Sequence, residues 1–172
     1  MYQIGEYVVH KKSGVCVVSG IGKVNISFLD SKKQYYTLES VYTKSKVYTP
    51  VENQSSVLRP LITKKEIMDL LDEIPSMEAI WVKDEKRREE KYKEVMREYN
   101  CRDWIRIIRT LYFRKQERLN LGKKVTAMDE KYFAAAEERL YSEFAVVLNI
   151  PRSEIESFIG EKVKACEEQI FA

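Results

Sequence analysis

The chain has 172 residues, 44% of them hydrophobic and 33% charged, and 30 Lys and Arg against 27 Asp and Glu leave a formal net charge of only +3. That balance excludes a histone-like polycation, and no apolar run approaches the roughly 20 residues of a membrane-spanning helix. The charge is unevenly placed: residues 82–124 hold 15 basic and 8 acidic side chains (+7), and residues 125–172 hold 5 and 10 (−5). The opening Met1 to Glu6 has neither a basic n-region nor an apolar h-region, so the protein is expected in the cytoplasm. Cys16, Cys101 and Cys166 are odd in number and scattered. They offer no disulfide framework and no metal knuckle, and are expected as reduced, mostly buried thiols.

Residues 1–60 read as short strands. Gly5 to His10 and Gly14 to Val18 flank the polar connection Lys11-Lys12-Ser13, of hairpin length. Ile21 to Leu29, Gln34 to Ser40 and Lys46 to Thr49 continue the pattern, with Asp30 to Lys33 as the clearest turn. Five short strands suggest a small SH3-like or Tudor-like β-barrel, although spacing alone does not separate a barrel from an open meander.

From Ile62 the apolar period becomes 3.6, which makes the whole chain α+β: a small N-terminal barrel followed by an all-α bundle. Residues 61–76 are expected as a short helix and linker. Thr63 with Glu66 forms a capping box ahead of Ile67, Leu70 and Leu71. Residues 77–172 are expected as the helical domain. Its first helix should run from Met77 to Tyr99, with Met77, Ile80, Trp81, Tyr92, Val95 and Met96 apolar and a charged middle. The next carries Trp104, Ile107, Ile108, Leu111 and Tyr112. After the loop 120–126, a fourth helix places Phe133, Ala136, Leu140, Phe144 and Val147 on one stripe, and Ser153 with Glu156 should cap the last.

Little points to catalysis. His10 is the only histidine and falls at a strand end, where it should titrate with solvent. No nucleophile motif accompanies it, and no Gly-rich loop precedes a helix. No catalytic residue, metal or cofactor is called. Nucleic acid fits better. On a continuous helix Lys83, Arg87 and Arg88 would share a face with Trp81 and Glu85 at its edge, giving the linear cation spacing that phosphate contacts need, while Lys86, Lys93 and Glu90 point elsewhere. The competing reading is a solvated helix laced by Glu-to-Lys pairs, since Glu85, Glu89 and Glu90 sit among the cations. Trp104 falls on an apolar stripe and is expected in the core; Trp81, where the apolar start gives way to charge, is also expected in the core, the alternative being a half-exposed indole that stacks on a base or wedges into a groove.

Several segments in order resemble one family. Ile4 to His10, Ser13-Gly14-Val15, Tyr35 to Leu38 and Val47 to Asn53 are followed by Arg87-Arg88, Arg109 to Tyr112, Lys115 to Arg118, Asp129 to Lys131 and Ala136 to Glu143. Across nearly its whole length the chain resembles the CarD/CdnL family of bacterial transcription regulators. The resemblance implies a Tudor-like domain that binds the β subunit of RNA polymerase. It also implies a helical domain that touches promoter DNA upstream of the minus-ten element with weak sequence preference, and modulates open-complex stability. A related module occurs in the transcription-repair coupling factor, but this chain has no Walker motif for its motor.

Carried over by position, the polymerase-facing residues are Lys23, Val24, Asn25, Ile26, Tyr48 and Pro50, with Val24 and Tyr48 where members often have arginine. The DNA-facing residues are Trp81, Lys83, Glu85, Lys86, Arg87, Arg88, Lys123, Lys124 and Lys131. Well-known members place a groove-wedging tryptophan ahead of the Arg-Arg pair, and the position here is Glu85. A carboxylate repels phosphate, so either Trp81 takes over the wedge or the protein works by phosphate contacts alone. The expectation is a monomer, associated with the nucleoid through polymerase. The alternative is a protein-interaction adaptor with no direct DNA contact.

Overall fold

The change of period at residue 62 is a change of structural unit. The computed structural model describes residues 1–80 and 82–171, with side chains described through Ala165. It separates into Met1–Leu61 and Ile62–Ala172.

The first unit is one antiparallel sheet of β1 (Tyr7–His10), β2 (Gly14–Gly22), β3 (Tyr35–Ser40), β4 (Lys46–Pro50) and β5 (Leu58–Pro60), in the order β4-β3-β2-β1-β5. Alternation does the packing. Val8, Cys16, Val18, Tyr36, Leu38 and Leu58 close one face, with Val47, Val51 and Val57 against it. Gly14, at φ +72°, lets the hairpin turn back.

Three expectations change in this unit. The sheet does not close into a barrel, because β4 and β5 each pair on one side only. β5 is three residues long and ends in Pro60, which has no N–H to extend a ladder. The expected strand Ile21 to Leu29 ends at Gly22, whose φ of +151° L-residues avoid. Residues 23–34 are then a loop whose Asp30 N–H donates to the Tyr35 hydroxyl at 3.2 Å. His10 is 8% exposed, and its Nδ1 accepts the N–H groups of Lys12 (3.2 Å) and Ser13 (3.1 Å). It is a staple for the hairpin, not a solvent titrator, and burial with help from Lys12 holds its pKa down.

The second unit contains α1 (Lys64–Glu73), α2 (Arg88–Arg97), α3 (Cys101–Asn120), α4 (Ala127–Leu148) and α5 (Ile155–Phe171). The Thr63–Glu66 capping box forms on α1. Asn100 and Thr126 cap α3 and α4 by accepting from the N–H groups of Asp103 and Asp129. Tyr92, Trp104, Ile107, Leu140, Phe144 and Ile155 make the core, each at most 1% exposed. Cys16 and Cys101 are buried thiols, and burial pushes the first up to about 11. Cys166 lies outside the described side chains. α5 is entered through a 3-10 turn at Arg152–Glu154 after Pro151, with no side-chain cap. Ser153 sits inside that turn and does not cap it.

The largest departure is the helix expected from Met77. A 3-10 turn at Ile74–Ser76 is followed by non-helical backbone at 77–80 and 82–84, then a 3-10 turn at Glu85–Arg87 and only then α2. α3 supplies what the missing helix would have. The Arg109 guanidinium donates to the carbonyls of Ile74, Met77 (3.0 Å) and Pro75 (3.1 Å). The Thr110 hydroxyl accepts the buried Ile80 N–H at 2.9 Å. With its backbone satisfied from outside, the segment need not coil. Asp84 then starts the next turn by accepting from the Lys86 N–H at 3.0 Å.

Candidate nucleic-acid interface and partner-docking edge

Because residues 82–84 are not helical, Lys83 does not share a helix face with Arg87 and Arg88, and what gathers the cations is a network. Glu85 is the hub. Arg88, at the start of α2, donates from Nε and Nη2 to its two carboxylate oxygens at 3.3 and 3.2 Å. Arg114, from the last third of α3, donates from Nη1 and Nη2 to the same two oxygens at 3.0 and 3.1 Å. Behind Glu85 each guanidinium is anchored. Arg88 Nη1 donates to the Tyr92 hydroxyl at 3.2 Å, and Arg114 Nε donates to Asp129 in the first turn of α4 at 2.6 Å. Nearby, the Tyr132 hydroxyl donates to Glu89 at 3.1 Å.

Burial and charge follow this layout. The Arg88 and Arg114 side chains are 11% and 15% exposed, Asp129 is 4% exposed, and Glu85 stays 64% exposed. Hydrogen bonds from Arg114, then Arg88, hold the Glu85 carboxyl below the usual carboxylate range. Burial opposes the charge on Arg114, but the bonds to Glu85 and Asp129 outweigh it and keep it firmly protonated.

Other cations point outward. Lys83, Lys86 and Arg87 are exposed and form no ion pair with a described residue. Lys83, Arg87 and Lys91 line an open concavity of about 750 Å3 with Asp84, Glu90 and Glu94. Lys123 and Lys124 are exposed beyond α3, whose end is closed by Gly122 at φ +71°. There the Lys123 N–H donates to the Arg118 carbonyl at 2.8 Å and Arg118 Nε to the Lys124 carbonyl at 2.9 Å. Exposed Lys131 has its ammonium 5.3 Å from the Tyr132 ring centre. The Glu85–Arg114–Asp129 chain thus ties together the three segments that carry these residues. Trp81 lies outside the described residues.

In the first unit the notable feature is an edge. Ser40 N–H donates to the Ser45 carbonyl and Val51 N–H to the Gln34 carbonyl, and the β3–β4 register runs between them. The alternation of an antiparallel ladder then turns the N–H and C=O groups of Lys46 and Tyr48 away from β3, toward the open side. Tyr48 is half-buried on the face opposite Val47 and Thr49, and Pro50 is exposed. Gly22 and Pro50 both register with Tyr35, so the loop bearing Lys23, Val24, Asn25 and Ile26 leaves the sheet at the Pro50 end of β4. Phe28, in the same loop, is 80% exposed.

A family model described as CarD-like/TRCF RID domain matches residues 2–62, and one described as CarD, C-terminal domain matches residues 66–160. The chain belongs to the CarD family. It is also 27% identical over 163 residues to the Bacillus subtilis (strain 168) protein named Putative transcription factor YdeB, covering 92% of this chain and 99% of that one. CarD proteins are transcription regulators whose amino-terminal module interacts with RNA polymerase, and the family is not known for enzymatic activity. Among the described residues no helix is long and apolar enough to cross a membrane, and no cluster could hold a metal ion.

Within this CarD-family chain the carried-over residues divide. Lys83, Lys86, Arg87, Lys123, Lys124 and Lys131 present charge to solvent, whereas Glu85 and Arg88 are bound to one another. Lys23 to Ile26 lie in a loop, not in the strand expected for them. Nothing in the sequence marks Arg114 and Asp129 as site residues. They lie 29 and 44 positions from Glu85, and only the packing of α3 and α4 brings them to it.

Proposed function

We propose that this protein regulates transcription by bridging RNA polymerase and promoter DNA. The first unit takes the polymerase β subunit along β4, with Tyr48, Pro50 and the loop Lys23 to Ile26 at the contact. The open β4 edge carries this reading. It lies within the polymerase-interacting module of the family and keeps unpaired N–H and C=O groups that a partner strand can extend. Backbone pairing tolerates the absence of arginine at Val24 and Tyr48.

The second unit meets the DNA backbone upstream of the minus-ten element through Lys83, Lys86 and Arg87, with Lys123, Lys124 and Lys131 as further contacts. Such contacts carry little sequence information but position a protein on the duplex. Tethering through polymerase raises the effective concentration at the promoter, so weak affinity for free DNA suffices to alter open-complex stability.

Tyr48→Pro tests the first half without disturbing the sheet, because the N–H it removes takes no part in the β3 ladder. Capture of the β subunit should weaken by about tenfold or more, the scale of one lost hydrogen bond plus the ring's steric block; unchanged capture rejects the β4 edge. Footprinting of polymerase–promoter complexes tests the second half. The protein should protect DNA upstream of the bubble, and a Lys83→Ala, Arg87→Ala variant should not. Polymerase capture without upstream protection would identify an adaptor instead.

A further inference from the structure

Glu85 invites a question that its role as a hub does not answer: why should a 64% exposed carboxylate be gripped by two largely buried arginines? The guanidiniums converge from two helices and give four hydrogen bonds of 3.0 to 3.3 Å to the two oxygens of one anion. Their planar forks fit carboxylate and phosphate oxygens equally well. Tyr92 and Asp129 fix their far sides, so the pocket between them is preorganised and does not depend on Glu85 for its shape. The anion in it faces solvent. It is carried on a three-residue 3-10 turn preceded by non-helical backbone, so it can swing away without unwinding a long helix.

We infer that Arg88 and Arg114 form a receptor for one phosphate of the DNA backbone, and that Glu85 fills this receptor until DNA displaces it. The inference rests on the DNA-binding reading above and deepens it by naming two contacts and their gate. The exchange balances in charge, since a monoanionic phosphodiester replaces a monoanionic carboxylate, which passes to water. With Glu85 in place, Arg88 and Arg114 are offset by Glu85 and Asp129, and the receptor adds no net attraction for DNA. A tethered carboxylate competes at high effective concentration. It therefore suppresses binding to free DNA, and yields where polymerase and the neighbouring lysines hold a phosphate at the same place.

Glu85→Ala empties the receptor. The full-length variant should bind an upstream promoter duplex about tenfold or more tighter than the parent, the low end for charge-assisted hydrogen bonds. Its affinity should depend more steeply on salt, by about one unit of slope. Adding Arg88→Ala, which leaves no buried charge behind, should remove the gain. A purely structural Glu85 would instead leave DNA affinity unchanged or weaker on its removal, which overturns the inference while parent binding to DNA still upholds the general reading. If neither protein binds DNA in polymerase–promoter complexes, both fall. Inorganic pyrophosphate is the control: tighter binding of it than of duplex by the parent would assign the receptor to a free phosphate compound and overturn the DNA assignment.

Discussion

Arg87 and Arg88 are adjacent in the chain and opposite in use. Arg87 is exposed with Lys83 and Lys86 on an open surface, whereas Arg88 is turned inward onto Glu85 and Tyr92. The first group is charge available to a partner. The second, with Arg114 and Asp129, is charge already spent within the fold. Formal charge counted along a sequence treats the two alike, so the +7 of residues 82–124 overstates the field that a nucleic acid would meet.

The sharpest way to break this contrast is to remove an inward arginine. Arg114→Ala leaves Asp129 buried without its partner and should lower the stability of the helical unit by about 3 kcal/mol, read from urea unfolding of the full chain. A loss below about 1 kcal/mol would mean that the network is peripheral. The outward cations should behave in reverse. Arg87→Ala or Lys83→Ala should leave the unfolding midpoint in place and reduce the salt dependence of DNA binding by about one unit of slope per contact. A shifted midpoint with an unchanged slope would erase the distinction.

The smallest effect is acid dependence. The Glu85 carboxyl titrates below its ordinary value of 4.5 in the folded protein. Its contribution is therefore fully present above the unfolded pKa and is lost as pH falls through the lower folded one. The difference in urea midpoint between the parent and Glu85→Gln should be constant near about pH 7 and shrink below about pH 4.5. Because Glu85 is largely exposed, the difference is modest throughout.

What the sequence announces in this protein is local. The Thr63–Glu66 box, the turn at Asp30 to Lys33 and the stripe of Ala136, Leu140 and Phe144 depend on neighbours within a few residues, and the structure has each of them. Met77, Ile80 and Trp81 have the spacing of a helix start, yet Arg109 and Thr110, about thirty residues on, satisfy the Met77 carbonyl and the Ile80 N–H. β5 is too short to show a period and exists by pairing with β1. The outward cations of the candidate site follow from composition. The receptor does not, because its second fork and its anchor come from α3 and α4.

The end of α3 bears on what a contact from Lys123 or Lys124 would cost. Gly122 adopts a backbone conformation that side chains disfavour, and the two lysines are strung from it by bonds to Arg118. Their main chain is thus already ordered before any partner arrives, and only side-chain freedom remains to be given up. Two cations so mounted hold an anionic surface with less loss of entropy than the same two in a slack loop. A glycine with no side chain thereby influences how firmly its charged neighbours can grip.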